Sequence, residues 1–288
     1  MKASISVLVP VKNEEKNLPD CLRSLDWVDE IFVVDSHSKD RTCEIATQMG
    51  AEVVQFDYDG GWPKKKNWSI KNLPFKHDWI LIVDADERIS PKLKNDILAA
   101  IVSDTYQGYY IRWKFIFLDK WMKHCWSHGW MLRLFKKDLA EYEDLGMRGE
   151  GGWDNEVHEN IKLDGESACL PGYMIHETNV SIERWLDKQN QFSTWNAKRR
   201  LEQLNEPIPS LKWFFSRNPL KRRRFLKALY IRMPLQPLIQ FVYFYIIKFG
   251  FLDGLPGLYF CAFRAAHELN ARIKIYEKKH LNSQEGKD

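Results

Sequence analysis

Four short apolar runs dominate the first 90 residues: "ISVLVPV" (5–11), "EIFVVDS" (30–36), "AEVVQF" (51–56) and "WILIVDAD" (79–86). Three segments of helical character lie between them. "EKNLPDCLRSL" sets Leu18, Cys21, Leu22 and Leu25 at helical spacing, "RTCEIATQMG" is stopped by Gly50, and "KKKNWSIKNL" precedes the fourth run. Strand and helix in alternation predict a parallel sheet with crossover helices, and continuous apolar strands fit burial on both faces. The expected fold class is α/β.

The chain has 288 residues, of which 44% are hydrophobic. That is enough for one sizeable core, or one core with a smaller appendage, and excludes disorder over most of the length. A net charge of +4 is mild and gives no argument for nucleic acid, which is not expected as a partner. The charge is uneven, with "KRRRF" and "KKH" in the C-terminal half and many acids in the first 170 positions. Cys21, Cys43, Cys125, Cys169 and Cys261 include no C-x-x-C pair, which fits neither a full disulfide framework nor a zinc knuckle and points to a reducing cytoplasm. The opening "MKASISVLVPVKNEE" is interrupted by Ser6 and Pro10 and lacks a small-residue cleavage site, so it reads as a strand rather than a signal peptide.

Ligands of open α/β sheets bind outside the carboxyl ends of the strands. The polar residues collect there: the first run leads into "PVKNEE", the second into Asp35-Ser36 and the fourth into Asp84-Ala85-Asp86. One such residue alone is a turn former or a helix cap, whereas three strand ends in succession favour a site. In an extended strand end, residues two apart point the same way, so Asp84 and Asp86 are expected to bring their carboxylates together if the local turn allows. Like charges that close call for a cation. A hard divalent ion, Mg2+ or Mn2+, takes one or two carboxylates and otherwise keeps water and substrate phosphates.

"ISVLVPVKNEEKNLPDCLRSL", "EIFVVDSHSKDRTCEIA", "GGWPKKKNWSI" and "WILIVDADERIS", in that order and spacing, resemble the family 2 inverting nucleotide-sugar glycosyltransferases of the GT-A fold over roughly the first 115 residues. The resemblance implies a UDP-sugar donor. Pro10, Lys12, Asn13 and Glu14 match the loop that holds the nucleoside, with Glu14 at the ribose. Asp35 matches an acceptor for the base, Lys66 a cation near the nucleotide, and Asp84 and Asp86 the motif that meets the ribose and the metal on the diphosphate. "DADERIS", "WDNEVHENI", "IHETNVSIERWLDKQNQFSTWNA" and "FGFLDGLPGLYFCAFRAAHE" extend the likeness over nearly the whole chain to bacterial lipopolysaccharide-core glucosyltransferases. That likeness implies a metal-dependent hexosyltransferase with a lipid-linked saccharide acceptor. Inversion needs a base opposite the leaving diphosphate. Glu159 matches the family's acid, ahead of Asp154 and Glu156, with His158 beside it. His176 corresponds to a third metal ligand or a diphosphate contact.

The aromatic and cationic stretch 109–137 is expected to finish the sheet with an antiparallel strand pair and to offer Trp rings to sugars, with Arg133 near the diphosphate. Residues 1–180 are read as the catalytic domain and 181–288 as a helical extension serving acceptor and membrane surface. The apolar run 234–252 is broken by Pro237, Gln240 and Lys248, so it reads as an interfacial rather than a spanning helix, attracted by anionic lipids on the inner face of the cytoplasmic membrane. The other functions in view are a polyprenyl-phosphate sugar synthase and a non-catalytic nucleotide- or carbohydrate-binding relative.

Overall fold

The computed structural model describes residues 2–126, 129–144, 160–177, 181–216 and 218–280. They fall into two compact units, Met1–Trp121 with Ser127–Asn179, and Met122–Trp126 with Val180–Asp288.

The first unit is built from β1 (Ala3–Val11), β2 (Val28–Asp35), β3 (Glu52–Gln55), β4 (Trp79–Ile82), β5 (Glu87–Ile89), β6 (Gly108–Phe117), β7 (Lys120–Trp121), β8 (Trp130–Lys136), β9 (Ala140–Tyr142), β10 (Ile161–Leu163) and β11 (Ser167–Glu177). The main sheet runs β3-β2-β1-β4-β8-β6-β11-β5, with β7 paired to β6, while β9 and β10 form a separate antiparallel pair. As expected, β3, β2, β1 and β4 are mutually parallel. The antiparallel pair in the aromatic stretch is β6 with β8, and β8 also pairs antiparallel with β4. Strand β11 is parallel to β6, and β5 returns antiparallel against β11, so most strands share one direction.

Both faces of the parallel strands are buried, which explains the unbroken apolar runs. Ile5, Val7, Val9 and Val11 of β1 join one core, with Leu18, Cys21 and Leu22 from α1 (Leu18–Arg23). Leu8, Phe32, Val34, Ile80 and Ile82 join the other, together with Ile70. The change of face at every residue is the strand period of two. Helix α2 (Thr42–Gln48) links β2 to β3, and α3 (Lys65–Asn72), which carries Ile70, precedes β4.

The first helix is shorter than its periodicity suggests. The turn in which Asn17 and Leu18 donate to the Glu14 carbonyl uses the chain before it. Helix α4 (Pro91–Ser103) begins on Ser90, whose hydroxyl accepts from the Leu93 amide, and Pro91 occupies its first turn. It packs on β11 at Gly172, where an added Cβ would lie 2.6 Å from Leu93 Cα.

The second unit is helical: α5 (Ile182–Asn205), α6 (Pro219–Tyr230), α7 (Gln236–Phe241) and α8 (Gly254–His280), with a π-helical turn at Val242–Ile247 and 3-10 turns at Leu211–Trp213 and Gly250–Asp253. Arg200 of α5 meets Glu268 of α8 through both guanidinium ends, at 2.5 and 2.8 Å. Arg232 donates to the carbonyls of Leu204 and Glu206 at 3.2 and 2.7 Å, satisfying acceptors at the end of α5 that no intrahelical amide reaches. The Asp253 carboxylate accepts the backbone amides of Lys123, His124 and Cys125 at 3.1, 2.9 and 2.9 Å, which holds the interposed segment Met122–Trp126 to its unit.

Candidate active site

The loops that follow β1 and β2 are fastened to each other. Asn13 adopts a left-handed φ of 56°, a conformation that asparagine tolerates better than most residues. Its amide donates to Ser38 Oγ at 2.7 Å, and its Oδ1 accepts the Lys39 amide at 2.8 Å. The Glu14 amide donates to Thr42 Oγ1 at 2.8 Å, and Glu14 Oε2 accepts from Asn17 Nδ2 at 2.7 Å. Pro10 is buried within β1 and Lys12 is exposed just past its end.

Asp35 is fully buried at the end of β2. Its oxygens accept from the Ser38 amide and hydroxyl, from Cys43 Sγ and from Gln55 Nε2. Burial works against its ionisation, yet these donors hold the carboxyl below the usual carboxylate range. Asp35 thus shapes the β2 loop from within.

Beyond β4 the chain turns at once. The Glu87 amide donates to the Asp84 carbonyl at 2.8 Å, and the Asp84 amide donates back to Glu87 Oε2 at 2.8 Å. Because the strand has ended, the alternation that would have aimed Asp84 and Asp86 together does not apply, and the two carboxylates meet different partners. Asp84 pairs with Lys66 Nζ and Arg133 Nη2, each at 2.8 Å. Burial opposes its ionisation, but Arg133 and Lys66 prevail and hold it far below the usual range. Lys66 and Arg133 are themselves 4% and 1% exposed. Both remain charged because their acidic partners outweigh desolvation.

Glu87 is a member of this cluster that the sequence reading missed. It is fully buried, with Oε1 2.8 Å from Arg133 Nη2. Burial pushes its pKa up to about 8; Arg133 opposes the rise, and Asp84 and Asp86 add to it. The available signal was a third acid in "DADERIS", directly after the motif. Lys65, also missed, is buried and donates to the Val11 carbonyl at 2.7 Å, tying α3 to the end of β1.

Asp86 turns toward β11. The pairing of β5 with β11 aligns Glu87 with His176, and the Glu177 amide donates to the Asp86 carbonyl at 3.1 Å. This register brings Asp86 Oδ1 to 3.5 Å from His176 Nδ1. The imidazole lies 5.4 Å from the rings of both Trp113 and Phe115, two residues apart on β6. A carboxylate oxygen and an imidazole nitrogen suit a divalent ion such as Mn2+. At 3.5 Å from each other these two groups are the ones that could hold such an ion. Among the described residues no group of three or more His, Cys, Asp or Glu is arranged around one ion position, so further ligands would come from substrate and water. Glu159, Glu156, Asp154 and His158 lie outside the described residues.

A mostly parallel sheet with acids and cations gathered at the carboxyl ends of its parallel strands has them where open α/β proteins bind their ligands. The sequence pattern described as glycosyl transferase family 2 matches residues 6–152, just over half of the chain. The chain belongs to that family and is a glycosyltransferase of the GT-A type. It is similar to the lipopolysaccharide core biosynthesis glycosyltransferase LpsC of Rhizobium meliloti, 25% identical over 100% of this chain and 97% of that one. An uncharacterized glycosyltransferase of Rickettsia typhi is 28% identical over 69% of this chain and 68% of its own. Among solved structures, TarS of S. aureus in complex with UDP-GlcNAc is 16% identical, covering 97% of this chain and 92% of that one with a TM-score of 0.46.

Proposed function

We propose that the protein moves a hexose from a UDP-sugar to a lipid-linked saccharide of the lipopolysaccharide core or another surface polysaccharide, with inversion at the anomeric carbon. The observation that carries this reading is the division of labour after β4: Asp84 is neutralised by Lys66 and Arg133, while Asp86 faces His176. The similarity to LpsC along the whole chain supports the acceptor class.

In this reading Pro10 and Lys12 to Glu14 form the wall for the nucleoside, with Glu14 at the ribose, and Asp35 supports that wall by fixing the loop through Ser38. Lys66 and Arg133 act through Asp84, which they hold ionised and oriented. Asp86 and His176 would hold a divalent cation, Mg2+ or Mn2+, which supplies charge to neutralise the departing diphosphate. Glu159 takes the proton of the acceptor hydroxyl as its oxygen bonds to the anomeric carbon and the bond from that carbon to the diphosphate breaks. An α-linked donor then gives a β-linked product. Trp121 and Tyr173, with Lys114 4.9 Å from the Trp121 ring, offer an aromatic and cationic surface to the acceptor. Residues 1–180 do this chemistry, and 181–288 serve acceptor and peripheral attachment at the cytoplasmic face of the membrane.

Calorimetric titration with UDP, with and without Mn2+, tests the donor site. Metal-enhanced binding is expected in the native protein and lost in Asp86→Ala. Glu159→Gln is expected to bind UDP normally and to transfer nothing. Equal loss of UDP binding in both variants would remove Glu159 as the base.

A further inference from the structure

From Pro207 to Leu252 the chain carries no Asp or Glu and nine Lys or Arg. The same stretch exposes large apolar side chains, among them Phe215 (76%), Leu235 (60%), Leu238 (56%), Ile246 (51%), Ile247 (60%) and Leu252 (58%). So many exposed apolar groups in one short stretch mark a surface that meets something other than water.

The charge shows what that is. Lys221, Arg222, Arg223 and Arg224 stand exposed in the first half of α6. Lys221 lies 6.0 Å from the Trp213 ring, and Phe214 packs against Phe225 of α6, so the basic helix and the apolar turn before it are neighbours. Partial burial, and then Arg199, Arg200 and Arg223, lower the Lys227 pKa against the opposing pull of Glu206, so positive charge outweighs negative around it. Apolar and basic groups together match an anionic lipid surface, with phosphates for the guanidinium groups and an acyl layer for the side chains between.

The backbone sets the depth. Among the described residues no single helix is long and apolar enough to cross a membrane. Gln236–Ile247 and Gly250–His280 pass that test only as a pair, bent by 71°. The first ends in the π-helical turn, the second begins with the 3-10 turn, and Phe249 between them has a left-handed φ of 58°. Breaks of this kind free carbonyls that hydrocarbon leaves unsatisfied and the hydrated headgroup layer satisfies.

We propose that α6 and the segment Leu235–Leu252 dock on an anionic phospholipid bilayer, the α6 cations on lipid phosphates and the apolar side chains in the upper acyl layer of one leaflet. This deepens the membrane attachment proposed above and rests on it, but it is independent of the sugar chemistry.

Sedimentation of the full chain with vesicles of phosphatidylcholine, alone or with added phosphatidylglycerol, tests it. The protein is expected to pellet with the anionic vesicles, and less so as salt rises. The triple variant Arg222→Glu, Arg223→Glu, Arg224→Glu is expected to weaken that association at least about tenfold. Ile246→Ser with Ile247→Ser is expected to weaken it while leaving UDP binding intact. Wild-type protein that stays in the supernatant with anionic vesicles overturns the proposal. So does a wild-type dimer in light scattering that the Ile246 and Ile247 substitutions turn into a monomer without altering vesicle binding, because a second copy would then cover the face. Vesicle binding without UDP binding would defeat the donor reading and leave this one standing.

Discussion

Two aspartates separated by one alanine end β4, and their environments divide them. Asp84 lies among buried cations, so its charge is already answered, whereas Asp86 faces an imidazole at 3.5 Å. Glu87 completes the arrangement as a buried acid with a raised pKa, and this fixes the sign of a pH effect. Its folded value of about 8 lies above the ordinary 4.5, so the folded protein holds this proton more tightly than the unfolded chain does. Glu87 then contributes stability fully below about pH 4.5 and loses it as pH rises through about 8. Tm measured between about pH 5 and pH 9 is expected to fall more steeply in the native protein than in Glu87→Gln, which does not titrate. Parallel curves would mean that Glu87 is not the group that holds the proton.

At the scale of elements, α4 and β11 are held by a close approach that any side chain at position 172 obstructs. An alanine there meets Leu93 backbone at 2.6 Å, so Gly172→Ala is expected to cost about 1–3 kcal/mol in urea unfolding. An unchanged midpoint would show that α4 moves away freely. The four parallel strands were legible from their apolar runs, since burial on both faces leaves an unmistakable composition. The β6 and β8 pair was legible too, from apolar strands rich in aromatic residues. Helix α4 was not read, although Ser90 and Pro91 carried its start signal. The three-residue strand β5 was invisible, because its partner Met174–His176 lies more than 80 positions away and nothing local specifies that pairing. The same distance hid the partner of Asp86: the sequence suggested His176 through family likeness, while the register that brings the two together is a tertiary fact. The reversal at Asp84–Glu87 likewise depends on a side chain reaching back to its own turn, which strand periodicity does not describe.

At the scale of the whole molecule, the chain enters its helical unit twice, first for Met122–Trp126 and then from Val180 onward. Nothing in the sequence advertises the first visit. Asp253 is what holds it there, through three amides. Hydrogen bonds to a charged group contribute about 1.5–3 kcal/mol each, although a shared acceptor does not deliver the full sum. Asp253→Ala is therefore expected to lower stability by about 3 kcal/mol and to speed amide exchange at Lys123, His124 and Cys125 above all other positions in the first 130 residues. Exchange that quickens evenly along the chain would show that Asp253 supports overall stability and does not act as a local clamp.

That interposed segment also bears on how the protein is made. A ribosome delivers residues 123–125 long before Asp253, which follows some 130 positions later. For that interval the three amides have no acceptor from the helical unit. The stretch between β7 and β8 must wait in water while the strands on either side of it are already free to pair. Genetic exchange meets the same obstacle, because a cut near residue 180 takes away the carboxylate and leaves its amides behind. The helical unit is therefore completed from both sides of residue 180, and an exchange at that point keeps the clamp only if the incoming chain brings a carboxylate to the place of Asp253.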